Sequence, residues 1–353
     1  MQRDPGWVRF IFRMGVLCLW LGGVEKVGAE ELKPSEPSAD YGLPTKKLKG
    51  HKAGYMRRYW QLYAMLLLPV AYFIIFKYIP MIYVQAAWKD YKLDGTSIWN
   101  MPWTSKNGWK HFIDVFKNKQ FKQALWNTVT LNLLDLVVGF AVPIIFALIL
   151  NELRMKKFKR TVQTVAYMPH FLSWVVIYGL AVQLFATNTG IVNNALEDMG
   201  LSRIGFLDKE IPWIIMYVLI GIWQSFGWNS ILYLAAITSI NPELYEAASV
   251  DGAGRFKKMW HITLPGIRPT IVILLIMSIG NIVGSGFDRP YALQKPLVLN
   301  VSEVLSTYIY KIGIVGSKWE RGIAIGLFQS VVGVFFLLTA NKLARKLGDR
   351  GIW

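Results

Sequence analysis

The sequence predicts an all-α polytopic membrane protein with six transmembrane helices. Composition, segmentation and charge placement carry that prediction. Of 353 residues, 54% are hydrophobic and only 17% charged, and the mean hydropathy is +0.34, more apolar surface than one soluble core can hide. Six apolar runs of spanning length lie at about 61–84, 124–150, 161–186, 212–240, 263–287 and 322–343. The formal charge of +17 gathers between and beside those runs, which points to loops on an anionic membrane face rather than to nucleic acid.

Residues 1–55 stand apart as an N-terminal extension. Arg3, Arg9 and Arg13 precede the apolar Val16–Leu21, and Val27-Gly-Ala29 supplies small residues, a signal-like pattern. Cleavage there would place residue 30 outside. Lys46, Lys47, Lys49, Lys52, Arg57 and Arg58, however, flank the next span and favour the inside. Juxtamembrane charge is the better orientation signal, so the first segment reads as an interfacial helix or as sequence upstream of a start near Met56. Residues 30–45, with Pro34, Pro37 and Pro44, read as a disordered linker.

The first span carries Lys77 near its outer end, placed to snorkel. The loop 85–123 holds Trp88, Trp99, Trp103 and Trp109, suited to a membrane surface or an external partner. The second span contains Asp135, a paired structural acid, and runs into the basic segment 151–160, the clearest cytoplasmic marker. The third span, about 161–186, is read as continuous. An acidic loop with Glu197, Asp198, Asp208 and Glu210 follows it. Residues 288–320 form the last external loop, and the sixth span leads into Lys342, Arg345, Lys346 and Arg350. Basic loops on alternate sides put both termini in the cytoplasm.

Between spans four and five, at 241–262, the pattern changes. Asn241 is suited to cap a helix, Pro242 to its first position, and Glu243 and Glu246 to its first turn. Ala247 and Ala248 favour the helix and leave a thin side-chain layer. Gly252 and Gly254 then end it, and Arg255, Lys257 and Lys258 suit a cytoplasmic surface. The residues describe a short docking helix hung between two spans.

Glu246-Ala247-Ala248, Gly252, Ile262, Leu264 and Pro265, with Ala253 beside them, resemble the coupling-loop signature of binding-protein-dependent ABC importer permeases. Ile75-Phe-Lys-Tyr-Ile-Pro80, Asn151-Glu152-Leu153, Tyr167-Met-Pro-His-Phe-Leu-Ser-Trp174, Ile222-Trp223, Gly227-Trp228 and the terminal Gly351-Ile-Trp353 narrow the likeness. They resemble the carbohydrate, maltose-type permeases, in the oligosaccharide and polysaccharide branch of lipoprotein-associated and alginate-type systems. The likeness covers roughly 56–353. It implies type I importer architecture in the bacterial cytoplasmic membrane, with this chain as half of a translocation path. It also implies a second permease subunit, two ATP-binding subunits acting on the helix around Glu246–Gly252, an extracytoplasmic sugar-binding protein and a sugar substrate. An importer permease for a non-sugar solute is the alternative.

This chain shows no Gly-x-x-x-x-Gly-Lys-Ser/Thr loop, so ATP and Mg²⁺ belong to a partner subunit. The glycines of 280–286 sit in a span and read as close packing or bending. Polar and aromatic groups inside spans are costly unless they face a protein interior or a wet path. Trp174, Trp223, Gln224, Trp228, Asn229, Tyr233, Asn281 and Gln329 are therefore candidates for the substrate path, indole faces suiting sugar rings and amides suiting hydroxyls. The cluster 223–229 is the best of them. For any one of these residues, bonding to a neighbouring helix is the commoner use of such a group. An enzyme would need a metal-binding or nucleophilic constellation, whereas His51, His111, His170 and His261 stand on separate segments and Cys18 is the sole cysteine. An ion-coupled secondary transporter would need internal repeats and broken helices, and the 241–265 pattern argues against it.

Overall fold

A computed structural model describes residues 59–92, 96–284, 286–348 and 351–352. The signal-like segment, the linker and the terminal Trp353 lie outside the described residues. The chain divides after Ile82 into two compact units. The first described element, α1 (Trp60–Trp88), is a long apolar helical run. A π-helical turn at Ile74–Tyr78 precedes Pro80, whose missing N–H breaks the regular ladder. The helical run continues past Lys77 through a 3₁₀ stretch, Ile82–Trp88.

The second unit begins at Tyr83. Its helices, in order, are α2 (Lys110–Lys117), α3 (Lys119–Asn151), the pair α4 (Lys156–Phe171) and α5 (Trp174–Phe185), and α6 (Ile191–Asp198). There follow α7 (Glu210–Thr238), α8 (Pro242–Val250), α9 (Arg255–Gly280) and α10 (Asp288–Leu293). The pair α11 (Pro296–Ser302) and α12 (Leu305–Val315) and the long α13 (Trp319–Lys346) complete it. Among the described residues five helices are long and apolar enough to span a membrane, or up to seven if each bent pair is one span.

Two departures from the sequence reading matter for function. The third span is not continuous: α4 and α5 meet at 102°. Pro169 ends the regular turns of α4, and the Ser173 side chain then accepts from Val176 N to cap α5. Only Pro169, His170 and Ser173 interrupt the apolar run at the break, too few polar residues for periodicity alone to show it. Residues 288–320, read as a loop, are folded into α10, α11 and α12, the last two bent by 115°. Span five also starts earlier, at Arg255, and stops at Gly280.

Backbone alternation gives the unit two ends. At one lie the 151–156 turn, α8 and the end of α13. At the other lie α2, α6 and α10–α12. In a bilayer apolar burial gives helices little reason to associate, so close backbone approach and polar bonds hold them. A Cβ on Gly227 of α7 would overlap the Ala166 carbonyl of α4, and one on Gly280 would sit 2.8 Å from Leu337 of α13. Close packing is what Gly280 supplies. Asn127 of α3 donates to Asn300 O (2.8 Å) and Glu303 O (2.9 Å), and Asn132 donates to Ile282 O (2.8 Å). At the α6 end the Thr187 hydroxyl, then the Lys295 ammonium, hold the Asp208 carboxyl below its ordinary value.

Candidate functional site

α8 is built as its residues dictate. The Asn241 side chain accepts from Glu243 N (3.1 Å), and Pro242 opens the helix. At its far end Gly252 N donates to Ser249 O (3.1 Å) and Ala253 N to Ala248 O (2.8 Å), a Schellman closure. That closure needs a left-handed residue, and Gly252 has φ +73°. The helix buries no residue. Glu246 and Ala247 are exposed, Ala248 is half-buried, and Glu246 makes no ion pair among the described residues. Val250 and Phe256 are 88% and 82% exposed beside them.

Behind this face, α8 is fastened to the start of α9. Tyr245 Oη lies 2.9 Å from Thr263 Oγ1, which is buried, and Lys258 Nζ donates to Ser249 Oγ. Ile262 lies within a π-helical turn (Met259–Thr263) just before Pro265, where the proline nitrogen could not have continued regular bonding. Leu264 packs into the cluster of Ala147, Leu148, Tyr233, Ile237 and Ile267, which joins α3, α7 and α9. The signature residues thus fall into two groups. Glu246, Ala247, Ala248, Gly252 and Ala253 form the exposed knob, and Ile262, Leu264 and Pro265 form its root.

The intramembrane candidates separate rather than converge. Tyr233 is buried in the packing at the α8 end, edge-on to Phe140. Gln224 is buried, 3.4 Å from His170 O in the α4–α5 break, and Trp228 stacks on the His170 ring at 4.5 Å. Trp223 is exposed on another face of α7. Asn229 and Asn281 meet at a cavity of about 320 Å³ between α3, α7 and α9, lined also by Asn132, Asp135, Ser225 and Ser278. Gln329 and Asn281 line a second, mainly apolar groove of about 620 Å³ between α9 and α13, where Gln329 donates to Val283 O (2.9 Å). Trp174 packs beside the core of α5 and α7, under Arg289.

Sequence reasoning missed Arg289. It sits on α10, yet its guanidinium reaches into the bundle. Nη1 and Nη2 donate to the two oxygens of Asp135 (2.6 and 3.2 Å), and Nη2 also donates to Tyr217 O. Cζ lies 3.7 Å from the Tyr217 ring centre and 5.7 Å from that of Trp174. A Cβ on Gly221 would overlap the guanidinium, so α7 is notched to admit it. Asp135 is the paired acid expected, and its partner lies 154 residues away. A lone acid in one span and one of two glycines in another were the available signals, and neither names its partner.

Residues 139–348 match the model of the binding-protein-dependent transport system inner membrane component. The chain belongs to this family. The permease is 42% identical over 83% of its length to the polygalacturonan/rhamnogalacturonan transport system permease protein YteP of Bacillus subtilis, covering 90% of that protein. It is 40% identical to protein LplB of the same organism, over 83% of this chain and 91% of that one. A bacterial alginate ABC transporter, solved in complex with an alginate pentasaccharide-bound periplasmic protein, contains a chain that superposes with a TM-score of 0.77. Identity is 40%, over 86% of the permease and all of that chain. The family is one of membrane transport components, not of enzymes, and the type I importer fold expected from the signature is the fold observed.

Proposed function

We propose that the permease forms half of the translocation path for an oligosaccharide or polysaccharide fragment, in an importer driven by ATP hydrolysed on partner subunits. The reading rests chiefly on α8, an exposed nine-residue helix with an alanine pair, an unpaired glutamate and a glycine-closed end, rooted in the packing of three spans. A second permease completes the path, two ATP-binding subunits take α8 into a surface groove, and an external binding protein delivers cargo to the α10–α12 end. Both termini lie in the cytoplasm. Glu246 meets a cation of the ATPase, and Ala247 permits the approach. Asn229 and Asn281 line the path at the 320 Å³ cavity, and Trp223 and Gln329 face the second permease or the passing sugar.

The saccharide reading draws on the relatives. YteP is named for polygalacturonan and rhamnogalacturonan, AraP of Bacillus subtilis (31% identical) for arabinooligosaccharides, and the solved transporter for alginate. The more distant UgpA of Yersinia pestis, at 27% identity, is named for sn-glycerol-3-phosphate, which favours a small phosphate ester as the second reading. The deciding experiment reconstitutes the full complex with its binding protein and measures ATPase stimulation across saccharides and glycerol phosphate. Stimulation by an oligosaccharide is expected. Stimulation by glycerol phosphate alone would overturn the saccharide reading.

A further inference from the structure

We infer that Arg289 is the receptor for a carboxylate on the cargo, with Asp135 as its stand-in when the path is empty, so that the preferred substrate carries uronate-type acidic sugar residues. This deepens, and rests on, the reading of the chain as a saccharide permease.

Four observations carry it. First, Arg289 and Asp135 are the only charged groups lining the cavity between α3, α7 and α9 among the described residues; its other polar lining is amide and hydroxyl, suited to sugar hydroxyls. Second, the pair is not sealed. The Asp135 side chain keeps 27% of its exposure and Arg289 keeps 16%, so a ligand in the cavity reaches both. Third, the contact is a planar fork on a carboxylate, and a uronate presents the same two oxygens at the same spacing. Exchanging one carboxylate for another keeps the half-buried cation paired, whereas a neutral sugar in the fork would strand it. Fourth, Arg289 Nε is buried without a protein partner, so the guanidinium has donor capacity beyond what Asp135 and Tyr217 use.

The same contacts decide the sign of the charge. Arg289 is held by the Tyr217 carbonyl, the Tyr217 ring and the notch at Gly221 as well as by Asp135. A cationic ligand seeking Asp135 would have to pull Arg289 out of all of these. An anionic ligand displaces only Asp135, which lies in a π-helical turn (Asp135–Gly139) of α3, a local irregularity of the kind found at functional sites. Asp135 then serves release, since its return to the fork frees the cargo carboxylate.

The test measures equilibrium binding to the assembled transporter without its binding protein, so that protein's selectivity does not enter. The probes are trigalacturonate and trimannuronate, their methyl esters, and a neutral trisaccharide. Wild type is expected to bind at least one tri-uronate at least tenfold more tightly than its ester. Arg289→Gln abolishes that preference, and Arg289→Lys, which keeps the charge and loses the fork, reduces it. Asp135→Asn removes the competing carboxylate and raises tri-uronate affinity without raising ester affinity. Equal wild-type affinity for acid and ester overturns the inference and needs no variant. So does an Arg289→Gln protein that keeps the preference, or an Asp135→Asn protein that weakens both ligands alike, as a purely structural strut would. In the first of these cases saccharide binding persists and the general reading survives. If no saccharide binds while glycerol phosphate does, the general reading falls as well.

Discussion

Two glycines show how differently one residue type acts in this chain. Gly227 faces the Ala166 carbonyl so closely that any Cβ overlaps backbone, and backbone cannot rotate away. Gly227→Val should separate α4 from α7, with an overpacking cost of about 1–3 kcal/mol, and lower the unfolding temperature of the detergent-solubilised protein. Around Gly252 there is open space for 4 Å beyond where a Cβ would stand, yet its φ is +73°. Gly252→Val therefore strains only the exposed end of α8, and fraying of that end relieves the strain without opening the packed bundle. Its thermal unfolding should match wild type while transport per ATP hydrolysed falls. Equal loss of stability in both variants would contradict the placement of α8 outside the packed bundle.

At the scale of elements, α8 is linked to its neighbours unequally. It follows α7 through a short turn, but its side chains bond to the root of α9 through Tyr245–Thr263 and Ser249–Lys258. Motion imposed on α8 should therefore pass first into α9. Tyr245→Phe removes one hydroxyl link worth about 1 kcal/mol, a roughly fivefold change in occupancy of the fastened geometry. Coupling of uptake to ATP use should weaken without loss of insertion. Thr263→Val should do the same, and the double variant should do no more. A full additive loss would mean that the two hydroxyls act separately. α8 was legible in sequence because cap, proline and glycine mark it within a few positions, whereas α9 starts eight residues before the apolar run read as span five. The Asn241 cap and the Gly252 turn appear where those rules place them. The α4–α5 bend was not, since Val165 to Leu184 is mostly apolar on both sides of it and the cues, Pro169 and Ser173, also occur in unbroken helices. The folded 288–320 segment escaped for the opposite reason. Its helices are short and held by distant partners such as Asn127 and Thr128, which no local pattern encodes. The cavity depended on residues from three spans, so its polar members could be named singly but not assembled.

Across the whole molecule, both ends hold lysines that are unpaired among the described residues. The α10–α12 end, however, carries Asp114, Glu197, Asp198, Asp208, Glu210, Glu303 and Glu320 among its cations, whereas the α8 end gathers its basic residues in dense runs. At the α10–α12 end, Arg203, Lys295, Lys311 and Arg321 each meet an acid: Glu197, Asp208, Glu303 and Asp114. At the α8 end, Lys156, Lys157, Lys159, Arg160, Arg255 and Lys257 make no ion pair among the described residues. Uncompensated charge resists translocation and favours an anionic inner leaflet, at about 1 kcal/mol for each Lys or Arg near the surface. The α8 end should therefore face the cytoplasm. Cys18 is the only cysteine, so a Cys18→Ser background permits single reporters at Val250 and at Leu297, which is 73% exposed at the other end. In sealed right-side-out vesicles a membrane-impermeant maleimide should label Leu297→Cys, and should reach Val250→Cys only after the vesicles are opened. Adding the ATP-binding subunits should then protect Val250→Cys and leave Leu297→Cys reactive. Labelling of Val250→Cys from outside would reverse the orientation. Correct sidedness without protection would instead separate α8 from the motor, because a helix that transmits force must be covered by what pushes it.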